Sequence, residues 1–178
     1  MYGGAAGGGK TYALLLEPLR HINNEKFACL IFRRTYPEIR APGALWDTSK
    51  NLYIPLDAKP LESRMRWIFP SGMKIEFSHL EHENDRFAWA GSQVPLICFD
   101  ELSLFSEQTF FYFLSRNRSD SGVPGYIRAT CNPDANSWIA KFISYWLDAK
   151  GEFADLSKSG KIRYFIRIEN QLVWADSI

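Results

Sequence analysis

Three apolar runs divide the chain, at residues 27–32, 94–99 and 126–131. The first two runs are unbroken, which is typical of a strand that is buried on both faces of a parallel sheet. The third contains Arg128 and Thr130 between its apolar residues and is predicted to be a further strand of the same sheet. Segments with one apolar helical face lie before, between and after these runs, at 12–22, 109–114 and 136–147. The alternation of strands and helices predicts an α/β fold, with a mainly parallel sheet flanked by helices.

Two β-hairpins are predicted in addition to this sheet. Alternating apolar residues at 65–69 and 73–77 flank a Pro-Ser-Gly turn at 70–72, which predicts an inserted hairpin. Residues 161–168 and 172–175 show a similar pattern and predict a C-terminal hairpin.

Composition narrows the class of protein. The 178 residues are 46% hydrophobic and 15% aromatic, which indicates a globular domain rather than a disordered chain. A net charge of +1 supplies no overall basic field, so any contact with DNA would come from local patches. No signal peptide is evident and no apolar run approaches the ~20 residues of a membrane span, so we expect no membrane partner.

The cysteines and histidines do not indicate a metal site. Cys29, Cys98 and Cys131 each lie in an apolar run, which predicts buried free thiols in a reducing compartment. His79 and His82 are three residues apart, but no third ligand is close in sequence, so we expect them to be surface residues.

The most informative pattern is GGAAGGGKT at residues 3–11, which from Gly4 matches G-x-x-x-x-G-K-[ST]. Small residues let backbone N–H groups surround a phosphate chain, and the helix that follows points its positive end at the same anion. Lys10 can then reach the β- and γ-phosphate oxygens, and the Thr11 hydroxyl can bind Mg²⁺. A flexible turn is the alternative, but it does not require Lys-Thr before an apolar helix. The predicted nucleotide-binding residues are Gly4, Ala5, Ala6, Gly7, Gly8, Gly9, Lys10 and Thr11, and Lys10 is also predicted to be catalytic.

Only Met1 and Tyr2 precede this loop, although a phosphate-binding loop normally follows a buried strand. We therefore expect the chain to be a piece that lacks most of its first strand, and we expect that strand to hold a central place in the sheet.

Two acids, Asp100 and Glu101, end the apolar run at 94–99. In phosphate-loop ATPases an acid in this place holds Mg²⁺, and a second acid beside it can accept the proton of the attacking water. We therefore predict Asp100 as a metal-binding residue, together with Thr11, and Glu101 as the general base.

Polar residues at the ends of two other strands are further candidates. Thr130 or Asn132 can touch the γ-phosphate or the attacking water and report whether hydrolysis has occurred, although Asn-Pro also simply begins a turn. Residues 33–35, Arg-Arg-Thr, follow the run at 27–32. For these arginines a role at phosphate or DNA and a solvated charge pair both stay open.

Together these motifs resemble the large terminase subunits of tailed bacteriophages, the motors that package DNA into the procapsid. The loop at 3–11 resembles the Walker A motif of that family, and residues 89–101 are similar to Walker B and its approach. Residues 32–37 resemble the segment after the second strand, residues 130–133 the coupling motif, and residues 163–175 the terminal hairpin. The order of these motifs along nearly the whole chain makes the resemblance specific.

The resemblance implies a P-loop ATPase of the additional-strand, catalytic-glutamate type that uses ATP and Mg²⁺. It implies translocation of double-stranded DNA by a homo-oligomeric ring on the portal protein, with the small terminase subunit as a further partner, in the cytoplasm of the bacterial host. It also implies an ATPase core at 1–150, followed at 151–178 by a linker and hairpin that lead toward a nuclease domain. No acidic metal triad is evident here, so nuclease activity is not assigned to these residues.

Two features of the family are not matched. An adenine-contacting segment is expected upstream of the loop, and some members carry an arginine just before the glycine equivalent to Gly91, where this chain has Ala90. The arginine finger, which stabilises the transferring phosphoryl group, is therefore unassigned. Its candidates by position are Arg86, Arg116 and Arg118.

Two alternatives stay open. Another ring translocase or a helicase shares the same core, although a helicase needs a second core domain. A truncated, catalytically incompetent interaction piece is an alternative of a different class.

Overall fold

The computed structural model of the chain describes residues 1–4, 7–132, 134–169 and 171–177. It forms two compact units, Met1–Asp134 and Ala135–Ile178. The division between them precedes residue 150, where the sequence places the end of the core.

The helices and strands follow one another in the order expected of an α/β chain. The α-helices are α1 (Lys10–Leu16), α2 (Tyr36–Arg40), α3 (Leu45–Tyr53), α4 (Glu107–Leu114) and α5 (Trp138–Ile143). The strands are β1 (Tyr2–Gly3), β2 (Ala28–Arg33), β3 (Lys59–Leu61), β4 (Arg66–Ile68), β5 (Lys74–His79), β6 (Leu96–Phe99), β7 (Tyr126–Cys131), β8 (Tyr164–Ile168) and β9 (Gln171–Ala175). Short 3₁₀ helices connect several of them, at Glu17–His21, Ile54–Leu56, Glu62–Arg64, Glu83–Trp89, Leu102–Leu104, Ser144–Trp146 and Leu156–Lys158.

Seven strands of the first unit form a mixed sheet in the order β1-β7-β6-β2-β5-β4-β3. The first five strands in this order are parallel. β4 then pairs antiparallel with β5, and β3 pairs antiparallel with β4 at the edge of the sheet. The predicted parallel strands are therefore confirmed. The strand before the loop is an edge strand and not a central one, because among the described residues β1 pairs with β7 alone.

One face of the sheet packs against α1 and α3. Leu14 and Leu15 of α1 are fully buried, and so is Trp67 of β4, whose ring stacks on that of Trp46 at 5.0 Å. α1 ends at Leu16, and the chain continues as the 3₁₀ helix Glu17–His21, because Pro18 has no backbone N–H to donate.

The opposite face is covered by α4. Phe32 of β2 and Phe113 of α4 approach to 4.6 Å between ring centres, and Phe99 of β6 packs beside them. Ser106 caps the helix, since its hydroxyl accepts the backbone N–H of Thr109 at 3.1 Å. This cap sets where the chain turns back over the sheet.

The second unit joins α5 to the antiparallel pair β8–β9. Phe142 of α5 packs against Phe165 of β8 and Trp174 of β9, with ring centres at 5.8 and 5.4 Å. These aromatic contacts explain why α5 groups with the hairpin and why this compact unit begins before residue 150.

The three cysteines are buried free thiols, as their apolar surroundings in the sequence predict. In the described ranges, none of the helices combines the length and the apolar character that a membrane span needs.

Candidate nucleotide-binding site

A cavity of about 330 Å³ opens at the carboxyl ends of the parallel strands. The loop between β1 and α1 forms one side of the cavity. The other side is formed by the two acids that follow β6 and by residues at the carboxyl end of β7. Its lining consists of Gly7, Gly8, Gly9, Lys10, Thr11, Tyr12, Asp100, Glu101, Thr130 and Asn132.

The loop has the backbone that its glycines predict. Gly7 and Gly9 have φ of 79° and 72°, a left-handed conformation that a side chain would strain, and each leaves open space where a Cβ would lie. Lys10 folds back over the loop, where its Nζ donates to the Gly4 carbonyl at 2.7 Å. Ala5 and Ala6, which the sequence also assigns to nucleotide binding, lie outside the described residues.

Asp100 is placed at the base of the cavity by β6. Only 1% of it is exposed, and its Oδ1 accepts the hydroxyl of Thr130 at 2.6 Å. The hydroxyl of Thr11 lies 3.4 Å from its Oδ2. The two predicted metal-binding residues, 89 positions apart in sequence, are thus neighbours in space.

Glu101 follows in an unusual backbone conformation, with φ of 58° and ψ of 60°. A left-handed conformation costs a residue with a side chain about 1–3 kcal/mol, so the surroundings must hold it there. The hydroxyl of Thr130 does so, because it accepts the Glu101 backbone N–H at 2.9 Å while donating to Asp100.

Arg33, at the end of β2, bridges the two acids. Its Nη1 lies 2.9 Å from Oε2 of Glu101, and its Nε lies 2.9 Å from Oδ2 of Asp100. The Nε contact is an ion pair without the geometry of a directed hydrogen bond. Neither interpretation of this arginine from sequence anticipated the contact. The contact depends on the order of the strands in the sheet. Phe32 of β2 pairs with Phe99 of β6, so Arg33 and Asp100, which follow them, are neighbours.

Asn132, predicted with Thr130 to couple hydrolysis to motion, lies on the cavity wall. It is exposed, whereas Thr130 is fully buried. The Pro133 that completes the motif lies outside the described residues.

None of the three arginine-finger candidates is part of the described cavity lining. Arg86 forms an ion pair with Glu83 at 2.7 Å, and its guanidinium lies over the ring of Phe87. The guanidinium of Arg116 lies over the ring of Tyr112. Arg118 is exposed. The assignment of the finger stays a prediction.

The residues of the cavity fit Mg²⁺ and a phosphate chain. A hydroxyl and a carboxylate are hard oxygen ligands of the kind that Mg²⁺ prefers, and Thr11 and Asp100 place them side by side. The open loop with Lys10 supplies backbone donors and one positive charge. The described residues contain no cluster of three or more His, Cys, Asp or Glu, so a cage built only of these side chains is not present among them.

Comparison with known proteins identifies the family. Residues 1–172 match the model of the terminase large subunit, T4likevirus-type, N-terminal family. The chain belongs to this terminase family. A search of curated proteins finds no match for it.

Solved structures share the fold of this terminase chain. The large terminase of a thermophilic bacteriophage is 16% identical, with a TM-score of 0.65 over 84% of this chain and 37% of that one. The N-terminal domain of the DNA packaging ATPase of bacteriophage phi29 is 18% identical, with a TM-score of 0.57 over 84% of this chain and 80% of that one. This terminase chain therefore spans 37% of the length of the thermophilic-phage protein.

Proposed function

We propose that this terminase domain is a P-loop ATPase of the additional-strand, catalytic-glutamate type, and that ATP hydrolysis in it powers the packaging of double-stranded viral DNA. One observation carries the proposal. The phosphate-loop residues and the two acids, separated by about ninety positions, surround one cavity, with Thr11 and Asp100 3.4 Å apart.

Each side of the cavity has a role in substrate binding. The loop at 4–9 wraps the phosphate chain with backbone N–H groups, and Lys10 neutralises charge on the β- and γ-phosphates. Thr11 and Asp100 would hold Mg²⁺, which would offset the negative charge of the phosphates. Since Arg33 already pairs with both acids, a metal ion at Asp100 would compete with its guanidinium group.

Glu101 serves as the general base in this proposal. As the water oxygen bonds to the γ-phosphorus, the water proton passes to the Glu101 carboxylate. The bond from the γ-phosphorus to its bridging oxygen breaks, and its electron pair leaves with ADP. The Thr130 hydroxyl contributes by fixing the backbone from which Glu101 projects.

Solved structures of similar proteins support nucleotide binding and assembly into a packaging motor as parts of this proposal. Structures of the thermophilic-phage large terminase were solved in complex with ADP and with ATP-gamma-S, at TM-scores of 0.53 and 0.51 to this chain. A phi29 relative belongs to a viral genome packaging motor assembly. For the whole protein we propose a ring that translocates DNA through the portal protein, with the small terminase subunit as partner, in the host cytoplasm. Thr130 and Asn132 would sense whether the γ-phosphate is present and pass this state to the part of the protein that grips DNA.

The test replaces Glu101 with Gln and measures both ATP binding and hydrolysis. Loss of a general base lowers turnover by about 10²–10⁴-fold, whereas the phosphate cradle is unchanged and ATP affinity is retained. Glu107→Gln is the matched control: Glu107 is an acid of α4 outside the described cavity lining, so its variant should keep wild-type turnover. Normal hydrolysis by Glu101→Gln would contradict the role of the base. A wild-type chain that binds no ATP would favour the interaction piece instead.

A further inference from the structure

Tyr12 is a cavity residue to which the proposed chemistry gives no role. It follows Thr11 in α1 and lines the same cavity as the phosphate loop and the two acids. It is 48% exposed, whereas Leu14 and Leu15 of the same helix are fully buried. Within the part of the chain that the structure describes, its ring and hydroxyl have no hydrogen-bond or aromatic partner.

The remaining lining of the cavity suits only the charged half of a nucleotide. It consists of glycines, Lys10, Thr11, the two acids, Thr130 and Asn132, and Tyr12 is its one aromatic side chain among the described residues. Backbone donors, an ammonium group and carboxylates bind phosphate and metal. None of them offers an apolar surface on which a flat base can rest.

We propose that the Tyr12 ring stacks on the base of the bound nucleotide. This inference rests on the proposed function, because it concerns the same site. An aromatic ring exposed beside a phosphate cradle gains from covering its face with a base, and stacking of this kind tolerates any base because every base has a π-face. Tyr12 would thus add affinity for both ATP and GTP, and would add none for inorganic tripolyphosphate.

The experiment compares two ligands on the full chain by titration calorimetry, MgATP and magnesium tripolyphosphate. Tyr12→Ala should weaken MgATP binding about tenfold, the typical effect of losing one stacked ring, and leave tripolyphosphate binding unchanged. Tyr12→Phe should keep wild-type affinity for both ligands, because the ring and not the hydroxyl makes the contact. Leu16→Ala is the control for the helix, since Leu16 is 47% exposed in α1 but outside the cavity lining.

The outcomes separate this inference from the proposed function. Equal weakening of both ligands by Tyr12→Ala would mean that Tyr12 shapes the phosphate loop, and would overturn stacking. Unchanged binding of both would overturn stacking and leave the phosphate site in place. Loss of affinity in Tyr12→Phe would assign the hydroxyl instead of the ring. If the wild-type chain binds neither ligand, the proposed function fails and the stacking role fails with it.

Discussion

The hydroxyl of Thr130 donates to Oδ1 of Asp100 at 2.6 Å, and both residues are buried at the end of neighbouring strands. The same oxygen accepts the Glu101 N–H at 2.9 Å. One side chain therefore joins β7 to both acids that follow β6.

Replacement of Thr130 by Val keeps its shape and removes this hydroxyl. A buried carboxylate oxygen and a backbone N–H then lose their partner, so we expect the free energy of unfolding to fall by about 1–3 kcal/mol. ATP turnover should fall as well, because the left-handed backbone at Glu101 loses its anchor. Urea denaturation and a phosphate-release assay measure the two effects. Thr130→Ser should restore both, and a Val variant with wild-type values in both assays would contradict the role.

Replacement of Arg33 by Gln leaves the buried Asp100 without its counter-charge. Breaking such a pair costs on the order of 3 kcal/mol, and Mg²⁺ can supply the missing positive charge at the same oxygen atoms. We therefore expect a lower melting temperature in EDTA that added MgCl₂ partly restores. Arg34→Gln is the matched control, because Arg34 donates to the Leu80 carbonyl and contacts neither acid. Equal responses of both variants to MgCl₂ would argue against a shared site for the guanidinium and the metal.

Ser49 is predicted to stabilise the core through its hydrogen bond with the indole of Trp67. Its hydroxyl accepts Nε1–H of Trp67 at 2.9 Å and donates to the Trp46 carbonyl at 2.7 Å, and all three residues are buried. Ser49→Ala leaves the indole N–H unsatisfied and should lower the free energy of unfolding by about 1–3 kcal/mol.

A double-mutant cycle with Trp67→Phe isolates this hydrogen bond. Ser49→Ala should lower the free energy of unfolding by less in the Trp67→Phe background, because no indole N–H is then left without an acceptor. Equal costs in the two backgrounds would show that the hydrogen bond contributes nothing.

Glu83 should make stability depend on pH. Burial raises the pKa of its carboxyl, but the hydroxyls of Ser106 and Thr109 and the Arg86 guanidinium outweigh burial, and the net pKa lies below the ordinary value of 4.5. A lowered folded-state pKa stabilises the fold above 4.5, and this contribution is lost as the pH falls from 4.5 through the folded-state value. These contacts join the 3₁₀ helix Glu83–Trp89 to the first turn of α4.

Urea midpoints measured from about pH 6 to about pH 3 test this contribution. Glu83→Gln should be less stable than wild type at the upper end, and the two midpoints should converge at the lower end. A difference that stays constant over the whole range would exclude the Glu83 carboxylate as its source.

Much of the site could be predicted from sequence because its signals are local. The loop at 3–11 is recognised by small residues at fixed spacing before Lys10. The apolar run before Asp100 predicts a buried strand, and it therefore also predicts that Asp100 lies at the end of that strand. The cap at Ser106 is equally local, since it depends on a hydroxyl three residues before the N–H that it accepts.

Other features depend on which strands are neighbours. Arg33 meets Asp100 only because β2 lies beside β6, and β1 is an edge strand because only β7 pairs with it among the described residues. Similarly, α5 groups with the terminal hairpin through Phe142, a contact between residues far apart in sequence. Such pairings bring together segments that no sequence window contains.

The sequence by itself predicted a phosphate loop and a pair of acids, and it determined the three parallel strands at 27–32, 94–99 and 126–131, because each of these signals lies in consecutive residues. Only the tertiary structure decided that Thr130 bonds to both acids, that Arg33 pairs with both of them and that Tyr12 lines the same cavity. Those relationships arise when the carboxyl ends of parallel strands meet at one edge of the sheet, and non-local packing sets the order in which they meet.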